Sequence, residues 1–191
     1  ASDVYKRQHK HLPTMYEYLS LRKKLLGVEK LAMYDVYVPL SNAGEDSYSY
    51  EEAKDMVLAA TAPLGEDYTE TLKEAFDNRW IDVCATENKT TGAYSWGVYG
   101  VHPYVLLNHR GDLDSVFTLA HELGHAMHSY YSNKTQPYPL ASYVIFVAEV
   151  ASTVNEILLT KYLLKIVTDK ELRKHILCHY PVSYTHLRAH E

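Results

Sequence analysis

Long hydrophobic runs are missing from this sequence. The longest purely apolar stretches, such as Tyr143–Ala148, fall far short of the roughly 18 residues a membrane span needs. The N-terminus is polar and no apolar stretch follows it, so nothing there reads as a secretion signal. Cysteine is scarce. Cys84 and Cys178 are the only two, too few for a disulfide framework and suited to a reducing compartment or to packed thiols. Basic runs are absent as well. Lys plus Arg number 19 against 24 Asp plus Glu, a net charge of −5 at pH 7, so there is no counterion-releasing patch for nucleic acid. Phenylalanine occurs 3 times and tyrosine 18 times, and tyrosine's polar tip suits the rim of a wet cleft. With 47% apolar and 23% charged residues, disorder and fibrous architectures are excluded. A cytoplasmic globular chain of 191 residues, enough for one domain, is the expectation.

The pattern along the chain is mainly α. Leu12–Leu26 has helical apolar spacing, with Pro13 fit for a first turn and Gly27 for a stop. Ala32–Val38 reads as an extended link and Ser41–Ser49 as a loop. Helices are expected from Ser49 or Tyr50 to Ala60 and over Pro63–Asn78. Ala93–Tyr99 and Tyr104–Asn108 are short, aromatic and β-branched, a small irregular hairpin. Asp112 or Asp114 can cap a helix running from Ser115 to about Tyr131. A loop with two prolines follows, then a long helix from Ser142 or Tyr143 to Ile166, then a shorter one over Asp169–Cys178. Ala1–Gln8 (residues 1–8) and Pro181–Glu191 (residues 181–191) continue no neighbouring periodicity and resemble non-native scars. The fold is therefore read over residues 9–180.

Chemistry enters at His121-Glu122-Leu123-Gly124-His125. Two histidines four apart leave one helix face a turn apart and can share one metal ion. Glu122 lies about 100° round the helix from His121, within reach of a reacting water without being a ligand. Val116, Phe117, Leu119, Ala120 and Leu123 mark the helix as largely buried, where polar groups cost free energy unless paired. A zinc hydrolase needs a third protein ligand and one open position. The pattern HExxHxxGxxH is excluded, because its last two places hold His128 and Tyr131. A glutamate from the following helix remains, and Glu149 is the candidate. The apolar residues Ile145–Ala148, Val150 and Ala151 surround Glu149 in sequence, and a carboxylate enclosed that way wants a cation. Glu149, Ser152, Thr153 and Glu156 form a polar stripe, in which Glu156 would orient a histidine ligand. His128 shares the histidine face and reads as a hydrogen-bond partner or cleft residue, since a fourth ligand would close the open position.

The run HELGHAMHSYYSNKTQPY followed by YVIFVAEVASTVNE resembles the zinc-site core of the oligoendopeptidase F branch of the thimet-oligopeptidase-like family of zinc peptidases. Upstream, YEYLSLRKKLLGVEKLAMYDVYVPL, WIDV and GAYSWGVYGVHPYVLLN carry the same resemblance, which spans about Lys10 to Cys178. It implies a partial helical zinc-peptidase catalytic domain with a small β-hairpin or sheet beside the active-site helix. His121, His125 and Glu149 would bind one Zn2+, Glu122 would be the general base, and Glu156 would match the family glutamate beyond the third ligand. The family's proteins are about three times as long as this chain. Their groups for substrate binding and intermediate stabilisation lie partly in the remainder of the parent chain, so the segment alone is expected to hydrolyse little. Motif alone assigns no such role to Tyr130, Tyr131, Tyr138 or Tyr143.

The expected activity is zinc-dependent hydrolysis of internal bonds in short peptides. Zinc would polarise the scissile carbonyl and activate water, and Glu122 would relay the proton. Tyr104–Asn108 is a candidate edge strand for an extended substrate. Peptides are the expected partners, with no nucleic acid and no membrane. Two alternatives stay open. A helical di-iron carboxylate protein would need a second Glu-x-x-His, but Ser152 and Leu159 stand three residues beyond Glu149 and Glu156. A non-catalytic helical module would bind no metal.

Overall fold

A computed structural model describes residues 2–41 and 47–189. Most of the loop expected over Ser41–Ser49 therefore lies outside the described residues. Two compact units are divided after Ala43 and after Thr168. The first contains helix α1 (Ser2–Leu26), a 3-10 turn (Met33–Tyr37) and helix α6 (Lys170–Ala189). The helix expected to start at Leu12 starts at Ser2 and carries Pro13 inside it, at the cost of one ladder hydrogen bond and crowding of the ring against the preceding turn. The last helix likewise continues past Cys178 to Ala189. The extended link expected over Ala32–Val38 is a 3-10 turn instead. Arg22 is the cause: its buried guanidinium donates to the Asp35 carbonyl at 2.8 Å and to the Val38 carbonyl, and the Asp35 carboxylate accepts from the Ala32 N–H at 2.7 Å.

The second unit holds α2 (Tyr50–Thr61), α3 (Glu66–Asp77), α4 (Leu113–Thr135), α5 (Ile145–Ile166) and three short strands. Ser49 caps α2 reciprocally: its hydroxyl accepts from the Glu52 N–H, and the Glu52 carboxylate accepts from the Ser49 N–H. The helix expected from Pro63 begins only at Glu66. Ala62–Leu64 is a 3-10 turn, and Gly65 at φ +102° breaks the run in a conformation glycine tolerates.

The expected hairpin is present as β2 (Tyr94–Trp96) antiparallel to β3 (Tyr104–Leu106). A third strand, β1 (Ile81–Asp82), adds in parallel on the other side of β3, giving the order β1-β3-β2. This overturns the edge-strand expectation for Tyr104–Asn108. β3 is the central strand, its ladder is taken on both sides, and the edges are β1 and β2.

Asp112 caps α4. Its carboxylate accepts from the Ser115 N–H at 2.8 Å and from the Ser115 hydroxyl at 2.6 Å. Val116, Leu119, Leu123 and Met127 of α4 are fully buried, with Val57, Leu72, Leu107 and Leu159 from the other elements. No helix of the described residues is long and apolar enough to cross a membrane.

Candidate functional site

The site lies where α4 and α5 pack together. His121 and His125 stand one turn apart on α4, and their Nε2 atoms are 3.0 Å apart. Glu149, in the first turns of α5, points at both: its Oε2 is 3.6 Å from His121 Nε2 and its Oε1 is 3.7 Å from His125 Nε2. One ligand atom from each of the three side chains lies within 4.8 Å of the other two. Glu156, two turns further along α5, takes the other face of the His121 ring, where its Oε1 meets Nδ1. His125 also engages the backbone of Ala148. The structure thus brings His121, His125, Glu149 and Glu156 together.

The proton inventory shows what the cluster can hold. A carboxylate only accepts, so the Nδ1 of His121 that meets Glu156 carries the proton. In the neutral ring, Nε2 then presents a lone pair toward Nε2 of His125, with a carboxylate beside them. Two nitrogens and one carboxylate facing a common point need a proton shared between the nitrogens or a metal ion among the three. Zinc accepts that donor set, with a free position left over. The residues present fit the ion.

Glu122 sits beside this cluster and outside it. It is only 8% exposed, and its Oε2 is buried without a hydrogen-bond partner among the described residues. Burial pushes its carboxyl up to about 7. The charge of His121 opposes this, and Glu149 and Glu156 reinforce it. His121 moves up despite burial, because its hydrogen bond to Glu156 and the surrounding carboxylates favour the charged ring. His125 moves down through burial and the proximity of His121.

The apolar neighbours of Glu149 behave differently from the expectation. Ile145, Phe146, Val147 and Val150 are exposed, at 73%, 56%, 43% and 52%, so they do not enclose the carboxylate. A 22-residue helix turns them outward, while Glu149 leans onto α4 and accepts from the Ser152 hydroxyl at 3.0 Å. His128 stacks on Tyr143 with ring centres 4.0 Å apart, and its Nδ1 is buried with no hydrogen bond among the described residues. It stacks beside the cluster. The Tyr131 hydroxyl donates to Asp67 at 2.6 Å, and that of Tyr143 is shared with Ser129.

Three contributors escape motif reasoning: Gly124 as a packing residue, Asn155 and Tyr68. Asn155, 1% exposed, donates from Nδ2 to the Ala120 carbonyl at 3.0 Å, and its Oδ1 accepts from the Tyr68 hydroxyl at 2.9 Å. The available signal was an asparagine three residues beyond Ser152, beside the polar stripe of the helix.

The mostly helical fold is shared with solved peptidase structures, and the chain belongs to peptidase family M3, whose profile matches residues 2–180. Among its relatives, oligopeptidase PepF of Bacillus subtilis (strain 168) is 49% identical over 93% of this chain. The chromosomal oligoendopeptidase F of Lactococcus lactis subsp. cremoris is 44% identical over 92%. The chain spans 26% and 29% of those relatives' lengths. A crystal structure from Chlamydophila abortus, 41% identical, superposes with a TM-score of 0.84 over 96% of this chain and 31% of its own. The crystal structure of oligoendopeptidase-F from Enterococcus faecium, 34% identical, gives 0.54 over 92% and 23%.

Proposed function

We propose that this chain carries the zinc centre of a metallo-oligoendopeptidase that hydrolyses internal bonds of short peptides in the cytoplasm. His121, His125 and Glu149 are the zinc ligands, and Glu122 is the general base. The observation that carries this reading is the convergence of three donors on one point beside the carboxylate of Glu122, whose Oε2 is buried with no hydrogen-bond partner among the described residues. Membership of peptidase family M3 and relatives named oligopeptidases support it. When bound, zinc supplies a Lewis acid that polarises a carbonyl oxygen and lowers the pKa of water.

The chain's own residues do the rest. Glu156 holds the Nδ1 proton of His121 and so keeps Nε2 turned toward His125 and Glu149, where it would hold the ion. Ser152 donates to Glu149 and fixes the direction of its carboxylate. Glu122, raised to about 7 by burial, sits where a proton can be taken up and given back near neutrality. It takes the proton of the attacking water and passes it to the leaving amine. β2 is an edge of the three-stranded sheet and carries the exposed Tyr94 and Trp96, so it is the strand on which an extended peptide would pair.

The test is metal content set against activity. The wild-type chain should bind about one zinc ion, and Glu149→Ala should lose it. Glu122→Gln should keep the ion, while a full-length enzyme carrying that change loses about 10²–10⁴-fold in turnover. Loss of zinc in Glu122→Gln would turn the base into a ligand and overturn the assignment.

A further inference from the structure

Around the site, α5 rests on α4 through two unlike contacts. At Gly124 the helices are in backbone contact. A Cβ there would stand 2.6 Å from the Ser152 Cα and 2.9 Å from both the Ser152 nitrogen and the Ala151 oxygen. Those atoms are backbone, so no side-chain rotation could relieve the overlap. One turn away, Asn155 reaches across to the Ala120 carbonyl, an anchor held from behind by the Tyr68 hydroxyl of α3. Each contact touches a functional neighbour. Gly124 lies between Glu122 and His125, and the Ser152 it supports donates to the Glu149 carboxylate at 3.0 Å. Ala120 precedes His121, and Asn155 precedes Glu156, the pair joined through Nδ1 and Oε1. The pairs 124 with 152 and 120 with 155 run antiparallel, so the first sets how close α5 can come and the second sets its register.

We propose that Gly124 and Asn155 are positioning residues, a distance stop and a register pin, that place Glu149 and Glu156 on the two faces of the histidine pair. This rests on the reading of His121, His125 and Glu149 as a metal centre. Alanine at 124 forces α5 outward and withdraws Glu149 from the point where the three donors meet. Leucine at 155 keeps a side chain of similar size but cannot grip the Ala120 carbonyl, so α5 is free to slide and turn.

The experiment uses the 191-residue chain and three variants: Gly124→Ala, Asn155→Leu and, as a control, Leu159→Ala. Leu159 is fully buried on α5 and supplies neither the backbone contact at Gly124 nor the hydrogen bond to Ala120, so its loss lowers stability without removing either. Zinc affinity is read by chelator competition well below each melting temperature. In the metal-free protein, the 15N shift of the His121 Nδ1 reports its bond to Glu156. Gly124→Ala and Asn155→Leu should each weaken zinc by about 10–100-fold, the range seen when partners of a metal ligand are lost. Both should also move the His121 shift toward that of a free ring, and Leu159→Ala should do neither.

Wild-type affinity and an unchanged shift in both test variants would overturn the proposal. So would equal losses in the Leu159→Ala control. If Gly124→Ala does not fold, Asn155→Leu decides by the same two readouts. A wild-type chain that binds no zinc would overturn the metal reading, and the His121 shift would still decide the placement of α5.

Discussion

The two helices that make the site are built on opposite plans. α4 buries an apolar face in the usual way, through Val116, Leu119, Leu123 and Met127, and carries Glu122 as an exception. α5 inverts the rule. Its buried positions include Ser152, Asn155, Glu156 and Thr160, while Ile145, Phe146, Val147 and Val150 are exposed. Burial alone would hold α4 in place whatever its partner. It does less to orient α5, whose buried side carries Ser152, Asn155, Glu156 and Thr160 beside Ala148, Leu159 and Leu163. Its orientation depends on specific polar contacts to α4, and those contacts place the third donor. Packing builds one half of the site and hydrogen bonding aims the other.

The largest effect that sharpens this contrast is on α4's exception. Glu122→Gln should remove the base and leave the helix in place, so a full-length enzyme should lose about 10²–10⁴-fold in turnover with its zinc retained. On α5, Glu156→Gln should weaken zinc by about 10–100-fold, measured by chelator competition, because the His121 ring is no longer held. Core deletion should separate the helices by stability. Leu123→Ala should cost about 2–5 kcal/mol in denaturant unfolding, whereas Phe146→Ser on the exposed face of α5 should stay within about 0.5 kcal/mol. Phe146→Ser should at the same time reduce binding of an apolar dye, since Val144–Val147 with Val150 form an exposed apolar patch. If Phe146→Ser destabilises as much as Leu123→Ala, the contrast between the helices is broken.

A loss smaller than that of Leu123→Ala is expected at the cap of α4. Asp112→Ala should cost about 1 kcal/mol. Burial raises the Asp112 carboxyl, but the hydrogen bonds from Ser115 and the nearby Arg110 outweigh it and leave it below the usual aspartate value of 3.8. A lowered folded-state pKa means that its contribution is present above pH 3.8 and is lost as the pH falls through the folded value. The stability gap between wild type and Asp112→Ala should therefore close in acid, as followed by urea midpoints.

What the sequence makes legible follows from the range of each signal. HELGH is local, and helical spacing alone places His121, Glu122 and His125 on α4. Glu149 was reachable because the loop between the helices is short enough to return α5 antiparallel. The three-stranded sheet was only half legible. β2 and β3 are neighbours in sequence, but β1 is two residues long and pairs in parallel with a strand more than twenty residues later, which leaves no local pattern. That hidden strand is why Tyr104–Asn108 looked like an edge. The turn at Met33–Tyr37 depends on Arg22, and the register of α5 on Asn155 and Tyr68. Both arise from side chains reaching across the fold, where periodicity carries no information. The exposed Ile145–Val150 face misled for a related reason, since an apolar run reads as buried until the packing partner is known.

Anomalous diffraction at the zinc edge, from crystals of the zinc-loaded chain, tests whether α4 and α5 together hold one zinc ion. One peak, about 2.0–2.2 Å from Nε2 of His121, Nε2 of His125 and a carboxylate oxygen of Glu149, with Glu122 outside bonding distance, is the predicted result. A peak held by Glu122 in place of Glu149, or no peak between the helices in loaded crystals, would contradict the account.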